Sequence, residues 1–237
     1  MKSKKIAFVG KGNVALILGN AFKEAGFDVS WIDSRKLSPI PEADIYIFSV
    51  KDDILIEVLE KFPRKEALYV HTAGSLPAEI FKNHADRYGV IYPLQTFSKQ
   101  RTIALTDVPF FVEANNSADE NLLIEIAGAL SGKVNILSSE KRKMLHLAAV
   151  FACNFTNHMY HCAANILEQN GLDYQYLLPL IEETADKIKH IHPKEAQTGP
   201  AIRYDKNVIN KHLELLDEDP FSRKVYETIS QSIYKRR

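Results

Sequence analysis

Two glycines and an alanine near the start of the chain have a spacing that brings backbone N–H groups close to a phosphate. Gly10, Gly12 and Ala15 form the pattern G-x-G-x-x-A, directly after an apolar run and directly before a segment of helical periodicity. The first glycine permits a tight turn, the second lets a pyrophosphate approach, and the small third residue lets the helix pack on the strand. The helix also begins with free N–H groups. The pattern predicts dinucleotide contacts from Gly10, Gly12, Asn13 and Val14, with a plain tight turn as the alternative.

The residues that follow the second predicted strand bear on the choice between NAD and NADP. An acid at this place holds the 2′-hydroxyl of the adenosine ribose, whereas a nearby arginine accommodates a 2′-phosphate. Asp33 could take the first role, and Ser34 with Arg35 and Lys36 forms a hydroxyl-and-cation cluster suited to the second. The cluster favours NADP as the cofactor, with NAD less favoured. A solvated charged turn is the remaining alternative.

A histidine and an asparagine on a long predicted helix are the candidates for catalysis. Hydride transfer to a carbonyl or imine needs a nearby group that gives or takes a proton close to neutral pH, and histidine is common in that role. At 100° per residue, His146 falls in one broad sector with Asn154 and His161. His146 and Asn154 are eight residues apart, roughly 12 Å along a helix. We therefore expect one to act on the reacting group and the other to orient cofactor or substrate. The alternative is that both are core or interface residues with satisfied hydrogen bonds.

Polar residues also adjoin the ends of three further predicted strands. Ser49 and Lys51 adjoin one strand, His71 ends the next, and Gln95 with Thr96 follows a third. Ligands of open α/β sheets bind beyond the carboxyl ends of the strands. We therefore assign Ser49, Lys51 and His71 to the cofactor, and Gln95 and Thr96 to the substrate. Ordinary turn and cap roles are the alternative for each.

The second half of the chain adds two candidates for the substrate site. Gln197-Thr198-Gly199-Pro200 interrupts the helical pattern, and Arg203 follows closely. Arginine holds carboxylates by two-point contacts, so Thr198 and Arg203 could contribute to a site for a substrate anion. Pairing of Arg203 with Asp205 or Glu182 is the favoured alternative.

Composition bounds the class of protein and its partners. The 237 residues are 46% apolar and carry 30 basic and 30 acidic side chains, which suits a folded globular chain and lacks the basic excess of a nucleic-acid binder. No run approaches the ~18 apolar residues of a membrane span.

Cys153 and Cys162 lie nine residues apart on one predicted helix, too far to bridge, which fits a cytoplasmic protein. No metal site is predicted, because His158 and His161 lack an acidic neighbour to complete a ligand set.

The pattern of elements changes near the middle of the chain. Before residue 138, short apolar runs alternate with helical segments, and the apolar run 45–50 is typical of a buried parallel strand. In that half, helices are predicted to begin with Asp52 as an N-cap, at Pro77 and at a capping box from Ser117. Afterwards only helical patterns remain, at about 140–170, 173–190, 205–217 and 220–235, and the last begins with Asp219 as the N-cap followed by Pro220. The chain is therefore predicted to form an α/β Rossmann-type parallel sheet over 1–138 and an all-α helical domain over 139–237.

Longer motifs along the chain match one protein family. Besides Ser34-Arg35, they are GKGNVA at 10–15, SVKDD at 49–53, VHTAGS at 70–75, YPLQTFSK at 92–99, HLAAVFACNFTNH at 146–158, PLIEET at 179–184 and QTGPAIRYD at 197–205. With these motifs the chain resembles Rossmann-like proteins that carry the C-terminal domain of unknown function 2520, relatives of pyrroline-carboxylate reductase and of the ketopantoate and β-hydroxyacid dehydrogenases. The resemblance implies an NADP oxidoreductase whose 6-phosphogluconate-dehydrogenase-like helical domain forms a homodimer. It names no substrate.

Two departures limit what the resemblance implies. The chain is short between Ser34 and Asp44, where relatives have a helix and a third strand. We therefore expect the adenosine half of the cofactor site to be truncated and strand 29–32 to become an edge of the sheet. The β-hydroxyacid-type relatives also carry a catalytic lysine four residues before an asparagine. Val150 stands four residues before Asn154, so the lysine mechanism is not carried over.

The leading hypothesis is an NADP-dependent oxidoreductase. It would transfer a hydride between nicotinamide and a small carbonyl, imine or hydroxy substrate in a cleft between the domains, with His146 as proton donor or acceptor. The alternative is a nucleotide-binding sensor or scaffold without hydride chemistry, favoured by the truncated adenosine half and the missing lysine. A methyltransferase is a weaker alternative, because its cofactor has no pyrophosphate for the glycine turn. Neither nucleic acid nor a membrane is expected as a partner.

Overall fold

The computed structural model describes residues 4–98, 100–101 and 103–236 of the chain. Their contacts divide the chain into two compact units, one ending at Phe155 and the other beginning at Thr156. This division falls later than the boundary expected at residue 138. The reason is that the helix following residue 138 hydrogen-bonds to the sheet through Ser139 and Arg142.

The first unit is built on a seven-stranded sheet. The strands are β1 Lys5–Val9, β2 Asp28–Ile32, β3 Ile45–Phe48, β4 Leu68–His71, β5 Arg87–Pro93, β6 Phe110–Ala114 and β7 Val134–Ile136. Their order is β2-β1-β3-β4-β5-β6-β7. The Rossmann-type sheet is confirmed, and all neighbours are parallel except β5 and β6, which pair antiparallel. The described residues between those two strands form no helix that could carry the chain back across the sheet.

Both faces of the sheet are covered, which explains the apolar runs in its central strands. Alternate side chains of β1 face opposite sides. Ile6 and Phe8 pack with apolar residues of two helices, α1 Asn13–Glu24 and α3 Ser117–Gly128. Ala7 and Val9 pack on the other face, with residues of helix α2 Leu55–Lys61.

The connection between β2 and β3 is a coil instead of a helix and a strand. It carries the chain over β1, so β2 lies at the edge of the sheet, as the short spacing predicts. Leu37, Ile40 and Ala43 of this connection pack against the buried cluster on one face. The Tyr46 hydroxyl donates to the carbonyl oxygen of Pro41 over 2.7 Å. The connection thus covers part of the sheet that a crossover helix would otherwise cover.

Three helix boundaries differ from the prediction. The segment expected to be helical from Pro77 forms only a 3₁₀ turn, Ala78–Phe81, in which Ala78 and Phe81 are buried. Helix α2 begins at Leu55 after a separate 3₁₀ turn, so Asp52 is not its N-cap. Helix α3 is capped by Asn116, which accepts from the backbone N–H of Asp119, instead of by the predicted box beginning at Ser117.

The helix predicted over 140–170 is confirmed, with one irregularity. Helix α4, Ser139–Ala149, continues through a π-helical turn, Val150–Phe155, into helix α5, Thr156–Gln169. A π turn holds more residues than an α turn, since its hydrogen bonds run from i to i+5. The constant 100° step that grouped His146 with Asn154 and His161 therefore does not hold across it.

Four further helices complete the second unit: α6 Leu178–Lys187, α7 Pro200–Arg203, α8 Lys206–Leu215 and α9 Pro220–Lys235. The predicted start of α9 is confirmed, because the side chain of Asp219 accepts from the backbone N–H of Ser222 and proline follows the cap. Helix α7 is not predicted by the sequence pattern. It begins where Gly199, with a φ of 99°, turns the chain into Pro200.

Three further observations concern the cysteines, membrane-spanning helices and possible metal ligands. Cys153 and Cys162 are both free, as predicted from their spacing. Within the described ranges, no helix is long and apolar enough to cross a membrane. The same residues contain no group of three or more His, Cys, Asp or Glu side chains placed to hold a metal ion.

Candidate functional site

All of the predicted cofactor residues lie at the carboxyl ends of four adjacent parallel strands. From β1 the chain passes to β2 on one side and then to β3 on the other, and ligands of such sheets bind at this point of reversal. The predicted residues found along this edge are Gly10, Gly12, Asn13, Val14, Ser34, Arg35, Ser49, Lys51 and His71.

The glycine turn between β1 and α1 has room for a ligand above it. Gly10 has a φ of +120°, and a Cβ there would lie 2.3 Å from the carbonyl oxygen of Ser49, so only glycine fits. A Cβ on Gly12 would meet nothing within 4 Å. The first turn of α1 carries no acidic residue to repel an anion. The side chain of Asn13 is used locally, donating to the carbonyl oxygen of Phe97 over 3.2 Å. This turn therefore fits the phosphates of a dinucleotide.

The turn after β2 exposes two cationic side chains, whereas the carboxylate of Asp33 forms a hydrogen bond within the turn. The carboxylate of Asp33 accepts from the backbone N–H of Arg35 over 2.9 Å, which closes the turn. Arg35 and Lys36 are exposed, and within the described part of the chain neither forms an ion pair. The half-buried Ser34 lies between them and Asp33. The arrangement suits an added phosphate better than a ribose hydroxyl.

The ends of β3 and β4 are joined by hydroxyl contacts. Thr72 donates to the hydroxyl oxygen of Ser49 over 3.1 Å, and the hydroxyl of Ser75 donates to the carboxylate of Asp52. Lys51 is exposed beside Asp52 and Asp53. Its predicted contact with phosphate stays a prediction.

His71 fixes the loop that follows β4. Its ring is 1% exposed, its Nδ1 accepts from the N–H of Ala73 over 3.2 Å, and its Nε2 lies 3.3 Å from the carbonyl oxygen of Pro77. Burial, together with the nearby charge of Arg142, lowers the pKa of His71 to about 3. The imidazole is therefore neutral and structural, and its predicted cofactor contact stays a prediction.

The neutral state of His71 makes the fold sensitive to acid. The unfolded chain takes up a proton below the ordinary pKa of 6.5, whereas the folded protein holds this ring neutral down to about 3. Acid therefore favours unfolding, and we expect His71 to remove about 2 kcal/mol from the free energy of unfolding between pH 7.5 and pH 5. Urea denaturation at the two pH values measures the change. A His71→Gln variant should lose most of this difference, and an unchanged pH dependence would contradict the assignment.

A buried arginine, which sequence reasoning missed, fixes α4 to the sheet. Arg142 is fully buried, with Nη1 2.5 Å from a carboxylate oxygen of Glu113 on β6 and Nη2 donating to the carbonyl oxygen of Leu76 over 2.5 Å. The Ser139 hydroxyl donates to the same carboxylate over 2.7 Å. Of the buried side-chain polar atoms described, Nε of Arg142 alone has no hydrogen-bond partner. In the sequence, Arg142 lies between two lysines and is indistinguishable from a solvent-exposed cation.

His146 lies one turn further along the same face of α4. Its Nδ1 is 3.0 Å from the hydroxyl oxygen of Tyr92, near the end of β5. The ring also packs against Gly74, where a Cβ would lie 2.6 Å from Cγ and Nδ1. The structure therefore places the predicted catalytic histidine at the carboxyl ends of β4 and β5. Tyr92 is a second residue that the sequence analysis missed, although its place at the end of a strand is the signal that could have found it.

The remaining predicted residues are exposed. Asn154 belongs to the π turn. The side chain of Gln95 accepts from the N–H of Thr96 over 2.8 Å, which uses it in its own turn. Thr198 and Arg203 belong to the second unit.

The expected pairing of Arg203 with Asp205 or Glu182 is wrong. Asp205 instead caps α8, where its carboxylate accepts from the N–H of Val208 over 3.3 Å. Arg203 is exposed and forms no ion pair with any residue described. Its guanidinium is therefore available to a ligand or to another chain.

The sheet order and the glycine turn define a Rossmann-type α/β protein with a helical C-terminal unit. The model of the domain of unknown function DUF2520 matches residues 108–233, more than half of the chain. The chain belongs to this family, and the resemblance read from its motifs is confirmed. The search of curated proteins found no match.

Solved structures of other proteins share the fold of this chain. A protein of Bacteroides fragilis named "putative NADP oxidoreductase" is 43% identical, with 98% of each chain covered and a TM-score of 0.89. Pyrroline carboxylate reductase of Plasmodium falciparum with NADP bound is 14% identical over 99% of each chain, with a TM-score of 0.59. A reductive aminase of Aspergillus terreus, in complex with NADPH and ethyl-5-oxohexanoate, is 12% identical over 99% of this chain and 93% of its own, with a TM-score of 0.73. The last two show likeness of fold alone.

Proposed function

We propose that the protein is an NADP-dependent oxidoreductase acting on small carbonyl, imine or hydroxy compounds. The glycine turn carries this proposal, because Gly10 is confined against Ser49 while the space above Gly12 is open at the point where the sheet order reverses. The 43% identical protein of Bacteroides fragilis carries NADP oxidoreductase in its name, which supports it. The free cysteines fit a reducing cytoplasm, where we place the protein.

The proposed cofactor site is divided among three strand ends. Gly10, Gly12 and the first N–H groups of α1 hold the pyrophosphate. Ser34 and Arg35 bind the 2′-phosphate of the adenosine ribose, and Ser49, Lys51 and the chain at His71 contact the remainder. The bound cofactor supplies the hydride. The short connection after β2 leaves little protein to enclose the adenosine, so the 2′-phosphate contacts contribute a large share of the affinity.

The proposed reacting group is His146, which polarises the substrate or exchanges a proton with it. It lies beside the carboxyl ends of β4 and β5, and Gln95 and Thr96 follow β5 at the same end of the sheet. These two residues are proposed to contact the substrate. Asn154 as an orienting group, and Thr198 with the unpaired Arg203 as contacts for a substrate anion, complete the proposal.

The preference for NADP is tested by replacing Arg35. We expect Arg35→Ala to raise the Kd for NADPH roughly 10- to 100-fold, since a hydrogen bond to a charged group contributes about 1.5–3 kcal/mol, and to leave the Kd for NADH unchanged. Fluorescence titration of the two cofactors measures both values. Arg64→Ala is the matched control, because Arg64 is exposed and pairs with Asp86 beside the amino ends of β4 and β5, whereas Arg35 follows the carboxyl end of β2. If neither cofactor binds the unmodified protein, the cofactor proposal fails.

Turnover separates the enzyme from its alternative. The shortened adenosine half and the valine at position 150 favour a nucleotide-binding sensor or scaffold. A panel of small ketones, aldehydes and cyclic imines with NADPH, followed at the NADPH absorbance band, distinguishes the two. Oxidation of NADPH with any panel member supports the enzyme, whereas tight binding without turnover across the panel supports the sensor.

We also propose a homodimer formed through the helical unit. Of the described residues from 156 onward, only Ala201 and Ile209 are buried apolar side chains. Leu215 and Phe221 are 82% and 85% exposed, and Leu180 and Tyr176 are also largely exposed. These side chains are available to be buried against a second copy of the chain. Sedimentation equilibrium should return twice the chain mass of 26.9 kDa, and a monomer at all concentrations would contradict the proposal.

A further inference from the structure

We propose that Tyr92 is a positioning residue that holds His146 with its proton on Nε2, so that the substrate meets a hydrogen-bond donor. The inference deepens the proposed function and rests on it. Nε2 of His146 is then the atom that meets the substrate, and Tyr92 is the residue that keeps the proton on Nε2.

The direction of the hydrogen bond follows from the surroundings of the tyrosine. Tyr92 is 8% exposed, and its hydroxyl has a single hydrogen-bond partner in the described part of the chain, Nδ1 of His146 at 3.0 Å. Buried hydroxyl groups are nearly always satisfied. If Nδ1 carried the proton, the Tyr92 O–H would have no protein acceptor. The hydroxyl therefore donates, and Nδ1 accepts.

The hydroxyl also keeps its own proton. Burial raises the pKa of Tyr92, with Arg142 acting in the opposite direction and Cys153 adding to the rise. A phenol that stays protonated is a permanent donor to Nδ1. A neutral imidazole has one N–H group, so its proton then resides on Nε2.

The position of the His146 imidazole is also fixed by its neighbours. Gly74 lies directly behind the imidazole. Arg142, four residues earlier on α4, fastens the helix to Glu113 and to the loop carbonyl of Leu76. Ring and tyrosine hydroxyl are thus held by one face of α4, the loop after β4 and the end of β5. Nε2 has no hydrogen-bond partner among the residues described, so it is free for a ligand.

A donor at Nε2 suits reduction. As a hydride adds to a carbonyl or imine carbon, negative charge grows on the attached oxygen or nitrogen. A fixed N–H aimed at that atom stabilises the charge without having to reorient. The tyrosine contributes by preventing the opposite tautomer, which would present a lone pair to the same atom.

The tautomer is tested by nitrogen NMR of the full-length protein labelled with ¹⁵N-histidine and free of cofactor. At a pH where His146 is neutral, we expect Nε2 to carry the proton and Nδ1 to show the shift of an acceptor. In Tyr92→Phe the Nδ1 signal should move to the position of a nitrogen without a hydrogen bond. Tyr88→Phe on the same strand is the matched control, since no hydrogen bond involves its hydroxyl in the described structure, and it should change nothing. A proton on Nδ1 in the unmodified protein, or an unmoved signal in Tyr92→Phe, overturns the proposal.

Kinetics provide the second arm. We expect Tyr92→Phe to lower kcat for the best panel substrate about tenfold or more with an unchanged Kd for NADPH. Gly74→Ala should act in the same way, because the new Cβ displaces the ring. Gly128→Ala is the control, because a Cβ there meets nothing within 4 Å. Normal kcat in Tyr92→Phe contradicts the positioning role. No turnover in the unmodified protein, with Nε2 protonated, contradicts the proposed function and supports the tautomer assignment.

Discussion

Replacing His146 with alanine is expected to lower turnover by roughly two to four orders of magnitude, the usual contribution of a positioned acid–base group. The affinity for NADPH should change little. The imidazole contacts Tyr92 and Gly74, whereas the proposed phosphate contacts lie at the glycine turn and at the turn after β2. Steady-state kcat on the best panel substrate and fluorescence titration of NADPH measure the two quantities.

His84→Ala is the control for this substitution. His84 is half-buried in the turn before β5, at the amino end of that strand, whereas Tyr92 lies near its carboxyl end. Its loss should leave kcat within a small factor of the unmodified value. A His146→Ala protein with normal turnover would show that the hydride reaction, if present, uses another group. Equal losses in both variants would point to a general effect on folding.

Removing the charge of Arg142 is expected to produce the largest loss of stability of any substitution considered. Arg142→Met leaves the Glu113 carboxylate without its cation and leaves the Leu76 carbonyl and the Ser139 hydroxyl each with one contact fewer. Breaking one side of a buried pair costs about 3–5 kcal/mol. Since the Glu113 side chain is 18% exposed, we expect a value near the lower end. Urea denaturation at pH 7.5 measures the free energy of unfolding.

Two further variants separate burial from charge as the cause. Lys133→Met removes a pair with Asp107 in which both side chains are more than half exposed, and it should cost less than about 1 kcal/mol. Arg142→Met combined with Glu113→Leu removes both members of the buried pair and should recover much of the loss. An Arg142→Met protein as stable as the Lys133→Met protein would show that the buried pair contributes little.

The features predicted correctly from the sequence depend on neighbours along the chain. The glycine turn, the start of α9 at Asp219 and the edge position of β2 follow from motif, cap and connection length. Each of these features depends on no more than about a dozen consecutive residues. The missed features depend on contacts between distant residues. Tyr92 and His146 are 54 positions apart, and Arg142 and Glu113 are 29 apart, so no periodicity could reveal that they meet.

The π turn shows a different limit. Nothing in the composition of residues 150–155 distinguishes this turn from an α-helix, so the residue types alone predict a constant 100° step across it. A constant step places His146 on the same side of the helix as residues beyond Phe155, but the π turn over 150–155 breaks this relation. The assignment of His146 itself was unaffected, because its contacts lie before the irregularity.

The open side of β2 has a consequence for association between copies of the sheet. An outer strand presents unpaired N–H and C=O groups that can recruit a strand from another molecule. With no third strand beyond it, β2 is such an edge, and β7 is the other among the described strands. Both are short, with five and three residues. Asp28 begins β2 and the charged turn at Asp33 follows it, while Lys133 precedes β7. The short length and the charges of these outer strands thus protect the sheet against edge-to-edge aggregation.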